Sequence, residues 1–178
     1  PTDAKTNAGV AGFAAFAVES AGVTSDRSAL GSEAARTAST SAPVTNALEA
    51  SPKVLFVDDD AAVLEVVREV LESLGYAVTA CRDASAALAQ LSSGWLPDIV
   101  LTDLTMPGMN GIEMAREIRK RGFEMPIVCC TGFLDEASER AGAQAGMCAF
   151  VRKPVDCDAL DQTLRTAIEK ERRLRRRG

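Results

Sequence analysis

The sequence contains no histidine among its 178 residues. That absence excludes Ser-His-Asp and Cys-His catalysis, which need an imidazole base, and most zinc chemistry. Cysteine is also sparse, with five residues and no Cys-x-x-Cys pair. Three of these cysteines fall within or beside apolar runs, where a free thiol packs as a small apolar group. We therefore expect a reducing, cytoplasmic location and no structural zinc site.

Long apolar runs are missing as well. The longest candidate, residues 10–18, is interrupted by Gly12, and it is far shorter than the roughly 20 residues that a membrane-crossing helix needs. It also lacks a basic flank, so the sequence predicts neither membrane insertion nor a secretory signal in this segment. The net charge is −5 with acids and bases well mixed, which favours no nucleic-acid binding by the domain as a whole. Because the chain begins with Pro1, we expect a processed product or a fragment.

The composition divides the chain into three parts. Residues 1–52 are rich in Ala, Ser, Thr and Gly, and such a segment buries too little surface to offset its ordering entropy, which predicts a linker or disordered segment. Residues 53–171 carry regular apolar patterning and form the expected domain. Residues 172–178 are a basic tail with five arginines. We interpret this tail as a solvated helix end, with a nucleic-acid or anionic-lipid contact as the alternative.

Within residues 53–171, short apolar runs alternate with helix-like segments. This alternation predicts βα units in a doubly wound, five-stranded parallel sheet of the α/β class. The predicted strands are 53–57, 76–81, 98–102, 126–130 and 147–151. The predicted helices follow them, the first ending at Gly75 and the others at about 84–91, 112–120, 135–145 and from 156 onward. The first helix has an apolar stripe at helical spacing, formed by Val63, Val67, Val70, Leu71 and Leu74.

Polar residues stand where four of the predicted strands end. They are Asp58, Asp59 and Asp60 after the first strand, Asp103 after the third, Thr131 after the fourth and Lys153 after the fifth. Ligands of open α/β sheets bind outside the carboxyl ends of the strands, so these side chains are expected in one crevice. Carboxylates are ligands that magnesium prefers, and an ammonium and a hydroxyl suit phosphoryl oxygens. The pattern therefore predicts a magnesium and phosphoryl site.

Each of these residues also has a purely structural interpretation. The three aspartates after the first strand could cap a helix, and we assign only this role to Asp60. Asp103 could be a structural carboxylate, Thr131 a hydroxyl bonded to the backbone, and Lys153 a surface lysine. The two remaining carboxylates beside Asp60 repel each other unless a cation lies between them. Because the coincidences fall at four different strand ends, the joint pattern favours the site.

Four stretches of the sequence act together as motifs: Val54-Leu55-Phe56-Val57-Asp58-Asp59-Asp60, Asp103-Leu104-Thr105-Met106-Pro107-Gly108-Met109-Asn110-Gly111, Thr131-Gly132 and Phe150-Val151-Arg152-Lys153-Pro154. The combined motifs resemble the receiver domains of two-component response regulators over about residues 53–171. The resemblance implies a flavodoxin-like (βα)5 fold with strand order 2-1-3-4-5 and a phosphoacceptor function in a two-component phosphorelay.

The resemblance also implies roles for individual residues. Asp103 would take a phosphoryl group from a phosphohistidine. Asp59 and Asp103 would bind Mg²⁺ directly, together with the backbone carbonyl of Thr105. Asp58 would act on the ion largely through water. Lys153 would pair with the phosphoryl oxygens.

A conformational switch is implied as well. Thr131 would swing toward the phosphoryl group, and Phe150 would follow it inward as the switch aromatic. The Lys153-Pro154 peptide bond is expected to be cis. The sequence departs from the family at two positions. The switch aromatic is Phe150, which has no phenol hydroxyl to form a hydrogen bond at the surface. The residue two positions after Thr131 is the apolar Phe133. We expect Phe133 to disfavour an ordered attacking water and so to slow loss of the phosphoryl group.

The implied partner is a histidine kinase or a histidine phosphotransfer protein, because this chain has no histidine of its own. A homodimer could form through the face of helix four and strand five. We expect self-catalysed phosphorylation rather than a turnover enzyme. We favour the carboxy-terminal receiver of a hybrid histidine kinase, with residues 1–52 as its linker, over a stand-alone single-domain regulator.

Two other classes of protein are weighed against this one. A pseudo-receiver would bind a partner without phosphorylation, although all the expected site residues are present. A haloacid-dehalogenase-type phosphohydrolase would use Asp58 as its nucleophile. That class usually has Thr or Val where this chain has Ala62, and neither its second acidic pair nor its cap is evident.

Overall fold

The computed structural model of the protein describes residues 51–177. Strand and helix alternate along this part of the chain, each apolar run forming a strand and each amphipathic segment a helix. The elements are β1 (Lys53–Val57), α1 (Ala61–Ser73), β2 (Ala77–Cys81), α2 (Ala84–Ser92), β3 (Ile99–Thr102), α3 (Gly111–Lys120), β4 (Ile127–Thr131), α4 (Glu136–Gln144), β5 (Ala149–Arg152) and α5 (Cys157–Arg175).

The strands form one sheet in the order β2-β1-β3-β4-β5, and every neighbouring pair is parallel. The predicted fold class and strand order are therefore confirmed. The chain leaves β1 for β2 on one side and returns to β3 on the other, which makes the β1/β3 boundary the switch point of the sheet. In doubly wound folds a crevice opens at that point, outside the carboxyl ends of the strands.

Helices cover both faces of the sheet. Residues of α2 and α3 share one apolar cluster with inward-facing residues of β1, β3 and β4. Val54, Phe56 and Leu101 are buried outside that cluster and alternate with its members along their strands, so they face the opposite side. There α1 contacts β1, and α5 contacts β3 and β5. A parallel sheet buried on both faces explains why its strands read as continuous apolar runs.

The bounds of β1 agree with the predicted ones, and those of the other four strands differ from them by one or two residues. Tyr76 lies outside β2 because its amide donates to the carbonyl of Leu71 at 3.0 Å, closing α1 after Gly75. Gly75 has a φ of 91°, which permits this turn. Thr131 belongs to β4 as its last residue, rather than following the strand.

The buried stripe of α1 differs in part from the predicted one. The helix buries Leu64, Val67 and Leu71. The prediction is confirmed for Val67 and Leu71, but it was wrong in omitting Leu64, and its other three members are only half-buried. Leu64, Val67 and Leu71 are spaced i, i+3, i+7, so the helix turns this narrower stripe toward the sheet.

Each helix begins directly after a residue whose side chain accepts a hydrogen bond from a backbone amide of the first turn. Asp60 accepts from the amide of Ala62 at 2.8 Å, which confirms the capping role assigned to it. Asp83, Asp135 and Asp156 cap α2, α4 and α5 in the same way. These caps fix where each helix starts, directly after the loops that form the carboxyl edge of the sheet.

The last helix runs further than the predicted domain. Because α5 continues to Arg175, the first residues of the predicted basic tail are helical. Arg172 donates to Asp98 at 3.2 Å, and Asp98 also accepts from the amide of Lys53 at 2.8 Å. Nearly all of the predicted linker, residues 1–50, lies outside the described residues. None of the helices between residues 51 and 177 is both long and apolar enough to cross a membrane.

Candidate functional site

The predicted site residues lie at the carboxyl edge of the sheet, and backbone hydrogen bonds fix their positions there. The amide of Asp103 donates to the carbonyl of Val57 at 2.8 Å, so Asp103 lies beside the end of β1. The amide of Lys153 donates to the carbonyl of Thr131 at 2.8 Å, which places Lys153 beside the end of β4. The hydrogen-bond ladder of the sheet thus extends one residue past the strands and aligns their polar ends.

Lys153 joins two carboxylates that are far apart in the sequence. Its Nζ lies 2.7 Å from Oδ2 of Asp58 and 2.9 Å from Oδ1 of Asp103. The side chains are 18% exposed for Lys153, 3% for Asp58 and 10% for Asp103. A shielded pair of carboxylates around one ammonium is costly to assemble unless the charges compensate each other. Two negative charges face one positive charge here, which leaves net negative charge in the crevice.

The pKa of Lys153 reflects this environment. Burial alone lowers the pKa of its ammonium, because the charged form loses water. The hydrogen bonds to Asp58 and Asp103, together with their negative charges, outweigh burial and raise the pKa above its ordinary value. Lys153 is therefore a fixed positive charge at any physiological pH.

The carboxylate of Asp103 is held in one orientation. Its Oδ2 accepts from the amide of Thr105 at 2.6 Å, while its Oδ1 faces Lys153. The hydroxyl of Thr102 donates to the carbonyl of Asp103 at 2.9 Å. Gly111 approaches the same carbonyl so closely that a Cβ at this position would collide with it. The sequence analysis gave Gly111 no such role, although its place at the end of the second motif was a signal.

The two neighbouring aspartates differ in their surroundings. Asp58 is buried, and its Oδ1 accepts from the amide of Asp60 at 3.0 Å. Asp59 is exposed. Within residues 51–177 no three His, Cys, Asp or Glu side chains converge in the geometry of a metal cluster. The chemistry of the donors nonetheless suits Mg²⁺, since the oxygens are hard ligands and the crevice carries excess negative charge.

The side chains of Thr131 and Phe150 project from the same face of the sheet. Phe150 pairs with Cys129 across β4 and β5, and Thr131 lies two residues beyond Cys129. Side chains two residues apart on a strand point to the same face. The hydroxyl of Thr131 is turned to the backbone of Phe133, 3.1 Å from its carbonyl oxygen. Phe150 is partly buried and packs against the apolar cluster that α2 and α3 share with the sheet.

Two buried thiols lie next to the charged residues, in the strand that ends at Thr131. Burial raises the pKa of Cys129 to about 12, and the negative charge of Asp103 adds to this. Burial likewise raises the pKa of Cys130 to about 12. Both thiols therefore stay protonated and act as apolar packing groups, as predicted for cysteines within strands. The predicted cis bond between Lys153 and Pro154 is confirmed.

The fold and this edge of the sheet define a class of protein, an open α/β domain with an acidic crevice and one fixed lysine. The family model of the response regulator receiver domain matches residues 54–165. The chain therefore belongs to the response regulator receiver domain family of two-component signalling. Receivers of this family interact with histidine kinases or phosphotransfer proteins, and they are generally not turnover enzymes.

Similar proteins agree with this assignment. The chain is 34% identical over 125 residues to the C4-dicarboxylate transport transcriptional regulatory protein DctD of Rhizobium meliloti, covering 70% of this chain and 27% of that protein. It is 36% identical over 119 residues to the response regulator MprA of Mycolicibacterium vanbaalenii, covering 66% of this chain and 51% of that protein. The chain thus spans about a quarter to a half of the length of these curated relatives.

Solved structures give the same result. A CheY-like receiver domain protein from Methanospirillum hungatei superposes with a TM-score of 0.65 at 26% identity, covering 69% of this chain and 98% of that chain. The chemotaxis protein CheY4 of Vibrio cholerae superposes with a TM-score of 0.63 at 28% identity, covering 66% and 99%. Because one relative is named as a transcriptional regulatory protein, the expectation of no nucleic-acid contact stays a prediction. The cytoplasmic location stays a prediction too.

Proposed function

We propose that this protein is a phosphoacceptor in which Asp103 receives a phosphoryl group from a phosphohistidine of a partner kinase or phosphotransfer protein. The observation that carries the proposal is the ammonium of Lys153, which lies within hydrogen-bond distance of both Asp103 and Asp58. Phosphoryl transfer depends on positioning and on neutralising charge more than on covalent assistance. A fixed ammonium beside an oriented carboxylate supplies both.

The transfer itself is a displacement at phosphorus. An oxygen of the Asp103 carboxylate forms the new P–O bond while the P–N bond of the phosphohistidine breaks. The leaving imidazole nitrogen keeps the electron pair of that bond and takes up a proton. The result is an acyl phosphate on Asp103 and a free histidine on the partner, which supports the need for a partner since this chain has no histidine.

Asp59, Asp103 and the backbone carbonyl of Thr105 would hold Mg²⁺ directly, and Asp58 would act on it through water. When bound, the ion supplies positive charge that neutralises the phosphoryl oxygens. Asp58 keeps a second role as a partner of Lys153. Lys153 turns from the Asp103 carboxylate to a phosphoryl oxygen after transfer, and it remains charged throughout because its pKa is raised.

Thr131 and Phe150 would convert the new charge into a change of shape. An aspartyl phosphate adds about −1.5 to −2 charge units beside the Thr131 hydroxyl. The hydroxyl would then donate to a phosphoryl oxygen instead of to the backbone, and Phe150 would respond on the same face of the sheet. The surface of α4 and β5 would be read by a partner or by a second copy of the chain. The hybrid-kinase context of the domain stays part of this proposal.

Intact-mass spectrometry after incubation with acetyl phosphate tests the proposal, with and without Mg²⁺. We expect a Mg²⁺-dependent gain of one phosphoryl unit, roughly 80 Da, that hydroxylamine removes because the product is an acyl phosphate. Asp103→Asn should gain nothing, while Asp156→Asn, which changes a cap aspartate on the same sheet edge, should behave as wild type. If neither acetyl phosphate nor a purified phosphohistidine donor gives an adduct, the chain acts as a pseudo-receiver.

A further inference from the structure

The last turns of α5 concentrate positive charge in a domain that is otherwise acidic. The final buried residue of the helix is Ile168, and residues 169–177 continue past it with six basic and two acidic side chains. Residues 51–168 have the opposite balance, with eighteen acidic and eleven basic side chains. We call residues 169–177 the α5 end. The domain is therefore negative over its body and positive at the α5 end.

Ion pairs within the domain use only part of this positive charge. Arg173 pairs with Glu169 at 3.5 Å, and Arg175 pairs with Glu171 at 2.9 Å. Both acidic side chains of the α5 end are thereby engaged. Three of its basic side chains have no ion-pair partner within residues 51–177: Lys170, Arg176 and Arg177. Their charge is available to a negatively charged partner.

An apolar side chain lies among these charges. Leu174 is 57% exposed, and it is on the same face of the helix as Lys170, one turn earlier. The shallow groove beside Leu174 is also lined by Lys170, Arg173 and Arg177. Leaving a leucine in water gains nothing for the folded domain by itself. A basic helix face with an exposed leucine is typical of helices that lie on an anionic membrane.

The α5 end lies at the amino edge of the sheet, opposite to the acidic crevice. Arg172 donates to Asp98, which precedes β3, and Asp98 also accepts from the amide of Lys53 at the start of β1. Leu96, two residues before Asp98 in the same loop, is exposed as well. A partner bound at the amino edge would therefore meet exposed leucines and basic side chains, and it would leave the crevice open.

We propose that the α5 end is a docking surface for an anionic membrane, on which Leu174 enters the headgroup region and the basic side chains bind lipid phosphates. Five of the six basic residues are arginines, whose planar fork of donors suits phosphate. The acidic body is repelled by the same membrane, which turns the crevice toward solvent. The exposed leucines favour a membrane over a nucleic acid, because a phosphate backbone offers them no apolar surroundings. This docking does not depend on phosphoryl transfer to Asp103.

Co-sedimentation of the full chain with lipid vesicles tests the proposal. Vesicles of phosphatidylcholine and phosphatidylglycerol in equal parts supply the anionic surface, and vesicles of phosphatidylcholine alone are the neutral control. We expect binding to the anionic vesicles only. The binding should weaken as the salt concentration rises, because salt screens the charges. A protein that does not sediment with anionic vesicles at low salt overturns the proposal.

Two variants with the same change in net charge locate the binding surface. The first changes the three basic side chains without an ion pair: Lys170→Gln, Arg176→Gln and Arg177→Gln. Each basic side chain near an anionic surface contributes about fivefold in affinity, so we expect roughly hundredfold weaker binding. The matched control changes three exposed arginines elsewhere and should bind nearly as wild type does: Arg68→Gln, Arg82→Gln and Arg116→Gln. Equal losses in the two variants overturn the proposal, since net charge alone then explains the binding.

Leu174→Ser distinguishes a membrane from a nucleic acid. The change keeps every charge, so a site that binds only phosphate keeps its affinity. We expect Leu174→Ser to bind the anionic vesicles about fivefold more weakly, because less apolar surface leaves water. Val66→Ser, at an exposed apolar position of α1, is the control and should bind as wild type does. Undiminished binding of Leu174→Ser, or displacement of wild type from the vesicles by double-stranded DNA at equal phosphate concentration, overturns the proposal in favour of a nucleic-acid or general polyanion site.

Discussion

The hydroxyl of Thr131 is bonded twice to the backbone of Phe133. It donates to the Phe133 carbonyl at 3.1 Å and accepts from the Phe133 amide at 3.4 Å. Thr131 is 2% exposed, while Phe133 is 73% exposed. A hydroxyl has a single proton to donate, so Thr131 has to give up the Phe133 carbonyl in order to donate to a phosphoryl group. Under the proposed function, phosphorylation of Asp103 would therefore also change the loop that displays Phe133.

Replacing Phe133 by glutamate should shorten the lifetime of the aspartyl phosphate. The exposed ring gives an attacking water no hydrogen-bond partner, whereas a carboxylate at this position can orient one. We expect loss of the phosphoryl group to become at least about tenfold faster, below the usual range for a well-placed general base. Mass spectrometry after removal of the donor measures it. Phe133→Leu serves as the control, and a glutamate variant that decays no faster than wild type contradicts the prediction.

Replacing Lys153 by methionine should destabilise the fold. The change keeps the length of the side chain but leaves the shielded carboxylates of Asp58 and Asp103 without a counter-charge. We expect the free energy of unfolding to fall by about 2–3 kcal/mol, less than for a fully buried pair because Lys153 is partly exposed. Urea unfolding in the presence of a chelator measures this. Adding Asp103→Asn should recover part of the loss, and a Lys153→Met protein as stable as wild type would refute the argument.

Stability should fall as the pH rises above about 9. The pKa of the Cys129 thiol is raised from 9.0 to about 12, and that of Cys130 likewise. Above pH 9 the thiols ionise in the unfolded chain while the folded chain keeps their protons, so the unfolded state is favoured. Each thiol should remove about 1.4 kcal/mol per pH unit between about 9 and 12.

Urea unfolding at pH 8 and pH 10 measures this effect of the two thiols. A variant with both Cys129→Ala and Cys130→Ala should lose most of the slope, although it is less stable at every pH. Lys153 also makes the folded state less stable as the pH rises, but only at higher pH. Its pKa is raised in the folded state, so its stabilising effect is complete below the ordinary pKa range of lysine and is lost above that range. An unchanged slope in the alanine variant would assign the alkaline transition to other groups.

Replacing Gly111 by alanine should distort the start of α3. The added Cβ would collide with the carbonyl of Asp103, and this carbonyl cannot move without shifting the rest of Asp103. We expect the free energy of unfolding, measured by thermal unfolding, to fall by about 2 kcal/mol or more. Gly132→Ala is the matched control, since a Cβ there meets nothing within 4 Å. Equal stability of the two variants would contradict the close approach.

Replacing Asp59 by asparagine should separate metal binding from stability. Asp59 is exposed, so the free energy of unfolding should change by no more than about 0.5 kcal/mol. If Asp59 is a direct ligand, the affinity for Mg²⁺ should fall at least about tenfold in calorimetry. Asp60→Asn makes the same change of charge one residue away and keeps a good helix cap, so it should bind Mg²⁺ as wild type does. An unaltered affinity of Asp59→Asn for Mg²⁺ would show that Asp59 is not a direct ligand of the ion.

The sequence alone determined the order of the elements and the edge at which the site forms. Apolar runs of four or five residues and helical stripes are local patterns, and the alternation of the two admits few topologies other than a doubly wound sheet. Asp58, Asp103, Thr131 and Lys153 could be assigned to one edge because parallel strands end there together. The capping role of Asp60 was equally local.

The tertiary structure decided how those side chains meet. That the Lys153 ammonium lies between Asp58 and Asp103 depends on charges brought together across 50 and 95 residues of chain. That α1 turns Leu64 inward, and that Arg172 of α5 meets Asp98, depends on how each helix packs on the sheet. No local pattern encodes such contacts, because a side chain takes its rotamer and its partners from the surface that the rest of the fold presents to it.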